Sequence, residues 1–266
     1  MSIQKKVISA SRRCDLVAFY PDYLITSLNR FPPEEVHTIV LWSKNPRNLL
    51  DYPSLRNKLS EYKNLYLLLS ITGLGGTIVE RNVPPMDTIL SLIPQLMEFI
   101  GGAEHIAVRY DPLLEIIDRK NGEMISNIDG DIALKILDKL FDFRVNRIIV
   151  SVAQVYKKAV ARMAKNNLTF SEGFQQKAEA FLSDFLSLEA LKRDIVLDCC
   201  TVPNLTPRGC IDGELLSSIH PQKHPAPKTK DRSQRIYCNC TKSIDIGKWF
   251  SCPHGCVYCY GNPMIL

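Results

Sequence analysis

Short apolar runs recur along the chain, and longer stretches with apolar positions at helical spacing separate them. The runs are Lys6–Ala10, 38–42, 65–71, 106–110, Arg147–Val152 and 194–198. They are rich in Val, Ile and Leu and do not alternate with polar residues, which is the pattern of strands buried on both faces of a parallel sheet. Between them, 86–100 and 132–143 carry apolar residues at helical intervals. A third helix is predicted over 169–192. Thr169 and Glu172 make a capping box for it, and Phe174, Ala178, Phe181, Phe185 and Leu188 share one face. Strand then helix, six times over, predicts an α/β fold of parallel βαβ units with right-handed crossovers. A doubly wound open sheet and a partial barrel both fit that alternation.

The 266 residues are 45% hydrophobic, enough to bury the core of one large domain with an appendage. Charge adds little: the net +5, from 33 basic and 28 acidic residues, permits anionic partners without requiring them. The opening residues, Met1-Ser2-Ile3-Gln4-Lys5-Lys6, lack the apolar core of a signal peptide. No apolar run approaches the roughly 20 residues of a membrane helix, so the expectation is a cytoplasmic protein with no membrane contact. After the sixth strand the character changes. Residues 220–235 are polar and contain Pro221, Pro225 and Pro227, a strap rather than a folded element. The organisation expected is 1–219 as the main domain, 220–235 as linker and 236–266 as a C-terminal cysteine-rich module. Six of the nine cysteines follow residue 209, which points to metal or cluster binding rather than to a disulfide framework.

The sharpest signal is Cys252-Pro253-His254-Gly255-Cys256-Val257-Tyr258-Cys259. Iron–sulfur clusters are normally held by four cysteines. A loop offering three leaves one iron open to a small molecule. Zinc is the alternative, with Cys240 or His254 as a fourth ligand. The C-x3-C-x-aromatic-C form resembles the cluster loop of radical S-adenosylmethionine (SAM) enzymes, with Tyr258 as the aromatic residue. In that superfamily the free iron chelates SAM, and one electron splits it to a 5′-deoxyadenosyl radical. The loop normally follows the first strand there, whereas here only seven residues come after Cys259.

That layout resembles domain-of-unknown-function family 1848, which has radical-SAM-like cysteines at its C-terminus. The marks are Ser11-Arg12-Arg13-Cys14-Asp15, Leu41-Trp42-Ser43-Lys44-Asn45-Pro46, Arg109-Tyr110-Asp111-Pro112, Gln234-Arg235-Ile236-Tyr237-Cys238-Asn239-Cys240 and Ser243-Ile244-Asp245-Ile246-Gly247. Position 14 departs from the family, where Thr is expected. The resemblance implies a partial (βα)6 TIM-like barrel whose mouth the cysteine-rich tail closes. It also implies a [4Fe–4S] cluster on Cys252, Cys256 and Cys259, SAM as cofactor, and flavodoxin or ferredoxin as reductant. Tyr258 would pack near the adenine, Gly75 and Gly76 would lie along the amino-acid part of SAM, and Glu80 would grip its amino group. The bland reading of 73–77 is a flexible turn, since the spacing is not G-x-G-x-x-G.

Ligands of parallel α/β folds bind beyond the carboxyl ends of the strands. The polar residues there are Arg12, Arg13 and Asp15; Ser43, Lys44 and Asn45; Thr72; Arg109 and Asp111; Gln154; and Asp198. Of these, Arg12, Arg13, Lys44, Arg109 and Asp111 are the residues expected to orient SAM and substrate. Arg12 and Arg13 suit an anion such as a carboxylate or phosphate. Arg109 and Asp111 could instead be a satisfied ion pair, and Lys44 a turn residue facing water. Cys200, Cys210, Cys238 and Cys240 would make four ligands for a second cluster or zinc, Cys200 being preferred to Cys199 on the family resemblance; plain burial is the alternative. Cys14, next to Arg12 and Arg13, would be an easily deprotonated thiol if the three are close, but reads first as an ordinary small residue at a strand end.

The leading functional reading is therefore a radical SAM-type enzyme acting on an unknown small-molecule or nucleic-acid substrate, with a repair lyase resembling photoproduct lyases as one variant. A non-enzymatic iron–sulfur or zinc protein, either an electron carrier or a nucleic-acid-binding module, competes with it. A SAM-independent lyase using the open iron as a Lewis acid is the third.

Overall fold

The computed structural model describes residues 4–202 and 208–265; the leader reading rests partly on residues 1–3, which lie outside them. Each of the six apolar runs forms a strand. In chain order the strands are β1 (Lys6–Ala10), β2 (Val36–Ser43), β3 (Leu65–Ser70), β4 (Ile106–Leu113), β5 (Glu115–Asp118), β6 (Met124–Ser126), β7 (Arg147–Val152), β8 (Leu168–Phe170), β9 (Val196–Cys199), β10 (Ile244–Asp245), β11 (Ser251–Cys252) and β12 (Asn262–Pro263). Seven of them form one parallel sheet in the order β10-β1-β2-β3-β4-β7-β9. From β1 to β9 the spatial order follows the chain without reversal, so the doubly wound arrangement does not occur. The sheet is open: β10 and β9 are its edges and no barrel closes, which leaves the expected TIM-like barrel unestablished.

The pleat explains why these strands read as continuous apolar runs. One set of side chains, including Ile8, Ile39, Leu41, Leu67, Val108 and Ile148, packs against the helices. The alternate set, including Val7, Val40, Trp42, Tyr66, Leu68, Ala107 and Ile149, packs against the segment that follows β9. Ile211, Leu216 and Ala226 of that segment cover this inner face, so both faces are dry and neither set can be polar.

Arg147 fixes the segment to the sheet. It donates to Asp198 Oδ2 at 2.7 Å, to Tyr66 Oη at 2.8 Å and to the Gly209 carbonyl at 2.8 Å. Asp198, listed among strand-end candidates by sequence, is thereby a structural partner with no exposed surface. The tail does more than lie over the mouth: residues 208–240 line the inner face, and β10 extends the sheet beside β1.

The helices depart from the sequence pattern in two places. The 86–100 stretch divides into Met86–Leu90 and Ile93–Ile100, the second opening on a proline that fits the first turn of a helix. The 169–192 helix starts later than expected. Thr169 is in β8, which pairs antiparallel with β5, so it caps nothing. Helix Phe174–Phe181 begins after Gly173 at φ +71°, then passes through a wider π-helical turn, Leu182–Leu186, into Ser187–Leu191. That turn rotates Leu188 off the packed face, and it is 54% exposed. The 132–143 helix runs over Gly130–Asp142, with Asp129 accepting from the amides of Asp131 and Ile132. No helix among the described residues is long and apolar enough to cross a membrane.

Candidate functional site

The carboxyl ends of β1, β2, β3, β4, β7 and β9 open into a cavity of about 670 Å³. Into the same cavity the tail delivers Cys252, Cys256, Tyr258 and Cys259. The cysteine loop can turn this tightly because Gly255 takes φ +68°; a Cβ there would lie 2.9 Å from the Met264 carbonyl. Its backbone is tied down on both sides. Val257 N–H donates to Val79 O at 3.1 Å and Asn82 Nδ2 to Pro253 O at 2.7 Å. Arg162 Nη1 donates to Cys259 O at 2.8 Å and to Val257 O at 3.0 Å. The Gly261 amide donates to Cys259 Sγ at 3.2 Å.

Cys14 belongs to this group of thiols. It lines the cavity and its thiol hydrogen-bonds to Cys252. That hydrogen bond is the main reason the Cys252 thiol is pulled down to about 6, while Cys14 is pushed up in return. Burial, with Glu80 nearby, pushes Cys256 well up. The expectation of an ordinary small residue at position 14 misses this contact, since nothing in a lone cysteine 238 positions from Cys252 announces it.

The predicted polar residues come to the same place but are largely engaged. Arg12 donates its amide to Asp245 Oδ2 at 2.9 Å and Nη1 to Ser243 Oγ at 3.2 Å; Arg13 Nη1 donates to Gly247 O at 2.7 Å. Both therefore hold the tail beside β1, and Arg12 Nη2 is left buried without a hydrogen-bond partner. Arg109 and Asp111 are an ion pair, with Ser151 also donating to Asp111, and the Arg109 guanidinium sits 4.8 Å from the centre of the Trp42 ring. Lys44 Nζ lies 2.8 Å from Glu80 Oε1, and its side chain is 17% exposed.

Gly75, Gly76 and Glu80 lie outside the cavity lining. The turn they belong to folds on itself, Gly76 N–H donating to Glu80 O at 3.0 Å, and offers Val79 O to the cysteine loop. A Cβ on Gly75 would lie 2.2 Å from Pro84 O. Glu80 is fully buried, accepting from Lys44, Thr72 and Tyr258. Burial favours its neutral form, but these donors outweigh it and hold the carboxyl below the usual range. Tyr258 thus spends its hydroxyl on Glu80.

His254 is engaged as well. Its Nε2 lies 2.8 Å from Asp15 Oδ2, and its Nδ1 faces the Asn82 carbonyl at 3.4 Å. Burial opposes protonation, yet Asp15 raises the imidazole above its ordinary value. Asp15 itself is fixed by Ser43 Oγ and the Lys44 amide. Cys240 lies beside Cys210 and Cys238.

Among the described residues, no group of three or more His, Cys, Asp or Glu is drawn together to hold a metal ion as the side chains stand. A four-iron cluster is wider than a single ion and takes its thiolates at separate corners. The donor set suits one: three thiols on one loop face one cavity, and a backbone amide points at the third sulfur, the kind of hydrogen bond that tunes cluster sulfurs.

The profile of the family described as "Domain of unknown function (DUF1848)" matches residues 27–261. The chain belongs to the DUF1848 family. Two solved structures resemble this DUF1848 chain: Streptococcus suis SuiB bound to S-adenosylmethionine, with TM-score 0.39, and Streptococcus suis SuiB, with TM-score 0.37. Identity is 11% in both, over 83% of the DUF1848 chain and 53% and 52% of SuiB, so the chain spans about half the length of that protein. No curated protein matches it in sequence.

Proposed function

We propose that this chain is a radical SAM-type enzyme whose Cys252, Cys256 and Cys259 hold a [4Fe–4S] cluster against the strand-end cavity. The observation that carries the reading is that the three thiols, 139 residues and more beyond the strand ends β1 to β4 in sequence, line the same cavity as Arg12, Lys44, Arg109 and Asp111. Its volume of about 670 Å³ falls within the range of small-molecule and cofactor sites, room for SAM and a small substrate. A cluster bound there would supply the electron for reductive cleavage of SAM, with flavodoxin or ferredoxin as its source.

The chain's own residues shape the site. Arg162, Asn82 and Val79 hold the cysteine loop rigid. Tyr258, through Glu80 and Lys44, locks the loop to the ends of β2 and β3. The Arg109–Asp111 pair, against the indole of Trp42, presents the polar wall that a substrate would meet. Tyr156 and Tyr260 line the cavity, their rings 5.8 Å apart.

The test is anaerobic reconstitution with iron and sulfide, then dithionite and SAM. The reading expects 5′-deoxyadenosine from the parent protein, and loss of both cluster and nucleoside in Cys256→Ala. An intact cluster that neither binds nor cleaves SAM would make the protein an electron carrier instead.

A further inference from the structure

Four further thiols meet on the inner face of the sheet, and the function above does not use them. Cys200 follows β9, Cys210 follows the glycine that Arg147 clamps, and Cys238 and Cys240 return beyond the 220–235 strap. All four are buried within the inner cluster, whereas Cys199, one position from Cys200, faces the helices. They touch in sequence: Cys200 with Cys210, Cys210 with Cys240, Cys240 with Cys238. The Ile211 amide points at Cys240 Sγ at 3.5 Å.

Cations gather round them. The Arg12 guanidinium lies beside Cys240, with Asp245 Oδ2 3.8 Å from its Nη1 and its Nη2 buried without a hydrogen bond. Arg235 lies beside Cys200 and Cys238, with no carboxylate at salt-bridge distance among the described residues. Four neutral thiols need no counter-charge. Four thiolates around a dication leave a net charge of about two minus, which Arg12, shared with Asp245, and Arg235 would offset in part.

Spacing selects the kind of centre. Thiols in hydrogen-bond contact are separated much like the edges of a tetrahedron around one ion, about 3.8 Å for zinc–sulfur bonds of about 2.3 Å. A four-iron cluster holds its cysteines wider apart. The three contacts form an open chain that does not enclose a point as the side chains stand.

We propose that Cys200, Cys210, Cys238 and Cys240 form a structural tetrathiolate zinc centre that fastens the strap and tail to the inner face of the sheet. Each thiol releases its proton to solvent on binding the ion. The segment from 208 to 240 has one short helix, Gly213–Ile219, and little regular structure of its own, so a metal staple supplies the stability that its small core does not.

The experiment uses full-length Cys256→Ala protein, which already lacks a donor of the triple-cysteine loop, so loss of that loop's iron leaves the zinc count untouched. Elemental analysis should give about one zinc per chain without accompanying sulfide, and Cys210→Ser added to this background should reduce it to background level. Cobalt(II) titration of the Cys256→Ala protein should give the tetrahedral ligand-field and sulfur-to-cobalt charge-transfer bands of a tetrathiolate site. That measurement decides the question if the added substitution prevents folding. Absence of zinc together with a non-saturating cobalt response overturns the proposal, as does iron with stoichiometric sulfide in this variant. Failure of SAM cleavage in the parent protein bears only on the triple-cysteine loop.

Discussion

Lys44 and Glu80 form an ion pair at 2.8 Å in which the carboxylate has no exposed surface. The pair joins the end of β2 to the turn after β3, and Tyr258 of the cysteine loop donates to the same carboxylate. Two residues that the sequence reading gave separate roles, Lys44 in orienting SAM and substrate and Glu80 in gripping the SAM amino group, are therefore partners of each other. Burial pulls Lys44 toward its neutral form, and Glu80 more than compensates.

Removing one member strands the other. Glu80→Ala should cost about 3–5 kcal/mol in chemical denaturation, because it leaves a buried ammonium and an unpaired tyrosine hydroxyl. Replacing both with apolar residues of similar volume should recover a good part of that loss. Equal losses in the single and double variants would mean the pair is not the unit it looks to be.

Gly209 has backbone on its open side. A Cβ there would lie 2.3 Å from the Cys240 amide nitrogen, and backbone cannot retreat as a side-chain tip can. Gly209→Ala should therefore destabilise by about 1–3 kcal/mol and raise the reactivity of Cys210 and Cys240 toward thiol reagents. Gly122→Ala is the contrast. Nothing lies within 4 Å of that Cβ, so only the strain of φ +75° applies, about 1 kcal/mol with no change in thiol reactivity.

The strands were legible because burial on both faces leaves a direct trace in composition: Val36–Ser43 has no exposed position. The grouping of cysteines was legible from their number and spacing. The helix start at 169 was not, because a three-residue pairing of Leu168–Phe170 with β5 overrides a local capping preference. Nor were the partners of Arg12 and Arg13. A guanidinium that binds a ligand and one that binds a chain segment 230 residues away look alike in sequence. The support given to the cysteine loop by Asn82 and Arg162 is equally silent, being made through backbone carbonyls that any residue would offer.

His220 makes stability fall in mild acid. It is fully buried, and the Gln222 amide donates to its Nδ1 at 3.1 Å, so its one ring proton sits on Nε2. Burial, with His37, His224, Lys5 and Lys63 nearby, pulls the imidazole down to about 4. The unfolded chain binds this proton at about 6.5. Above that value neither state binds it and the contribution is complete. Between about 6.5 and 4 only the unfolded chain does, so stability declines as pH falls, by up to about 3 kcal/mol. Urea midpoints across this range should show the decline, and His220→Gln should flatten it. His37 shifts in the same direction, also chiefly by burial, and leaves a residual slope in the variant. An unchanged slope in His220→Gln would assign the acid sensitivity elsewhere.

Arg162 should govern how firmly the cysteine loop keeps its iron. One of its nitrogens, Nη1, serves the carbonyls of both Val257 and Cys259, the residues on either side of Tyr258. Hydrogen bonds from a charged donor contribute about 1.5–3 kcal/mol each, less where water competes. Arg162 lies on helix Lys157–Lys165, so its removal leaves the cavity wall in place and loosens only the backbone that aims the third sulfur. Arg162→Met should lower thermal stability modestly and shorten the lifetime of reconstituted iron against a chelator several-fold. Arg162→Lys, which keeps the charge but not the planar fork, should fall between the two. The chelator half-life is the deciding number: if Arg162→Met retains iron as long as the parent protein, the loop is held by its own turn and by the 79–82 segment alone.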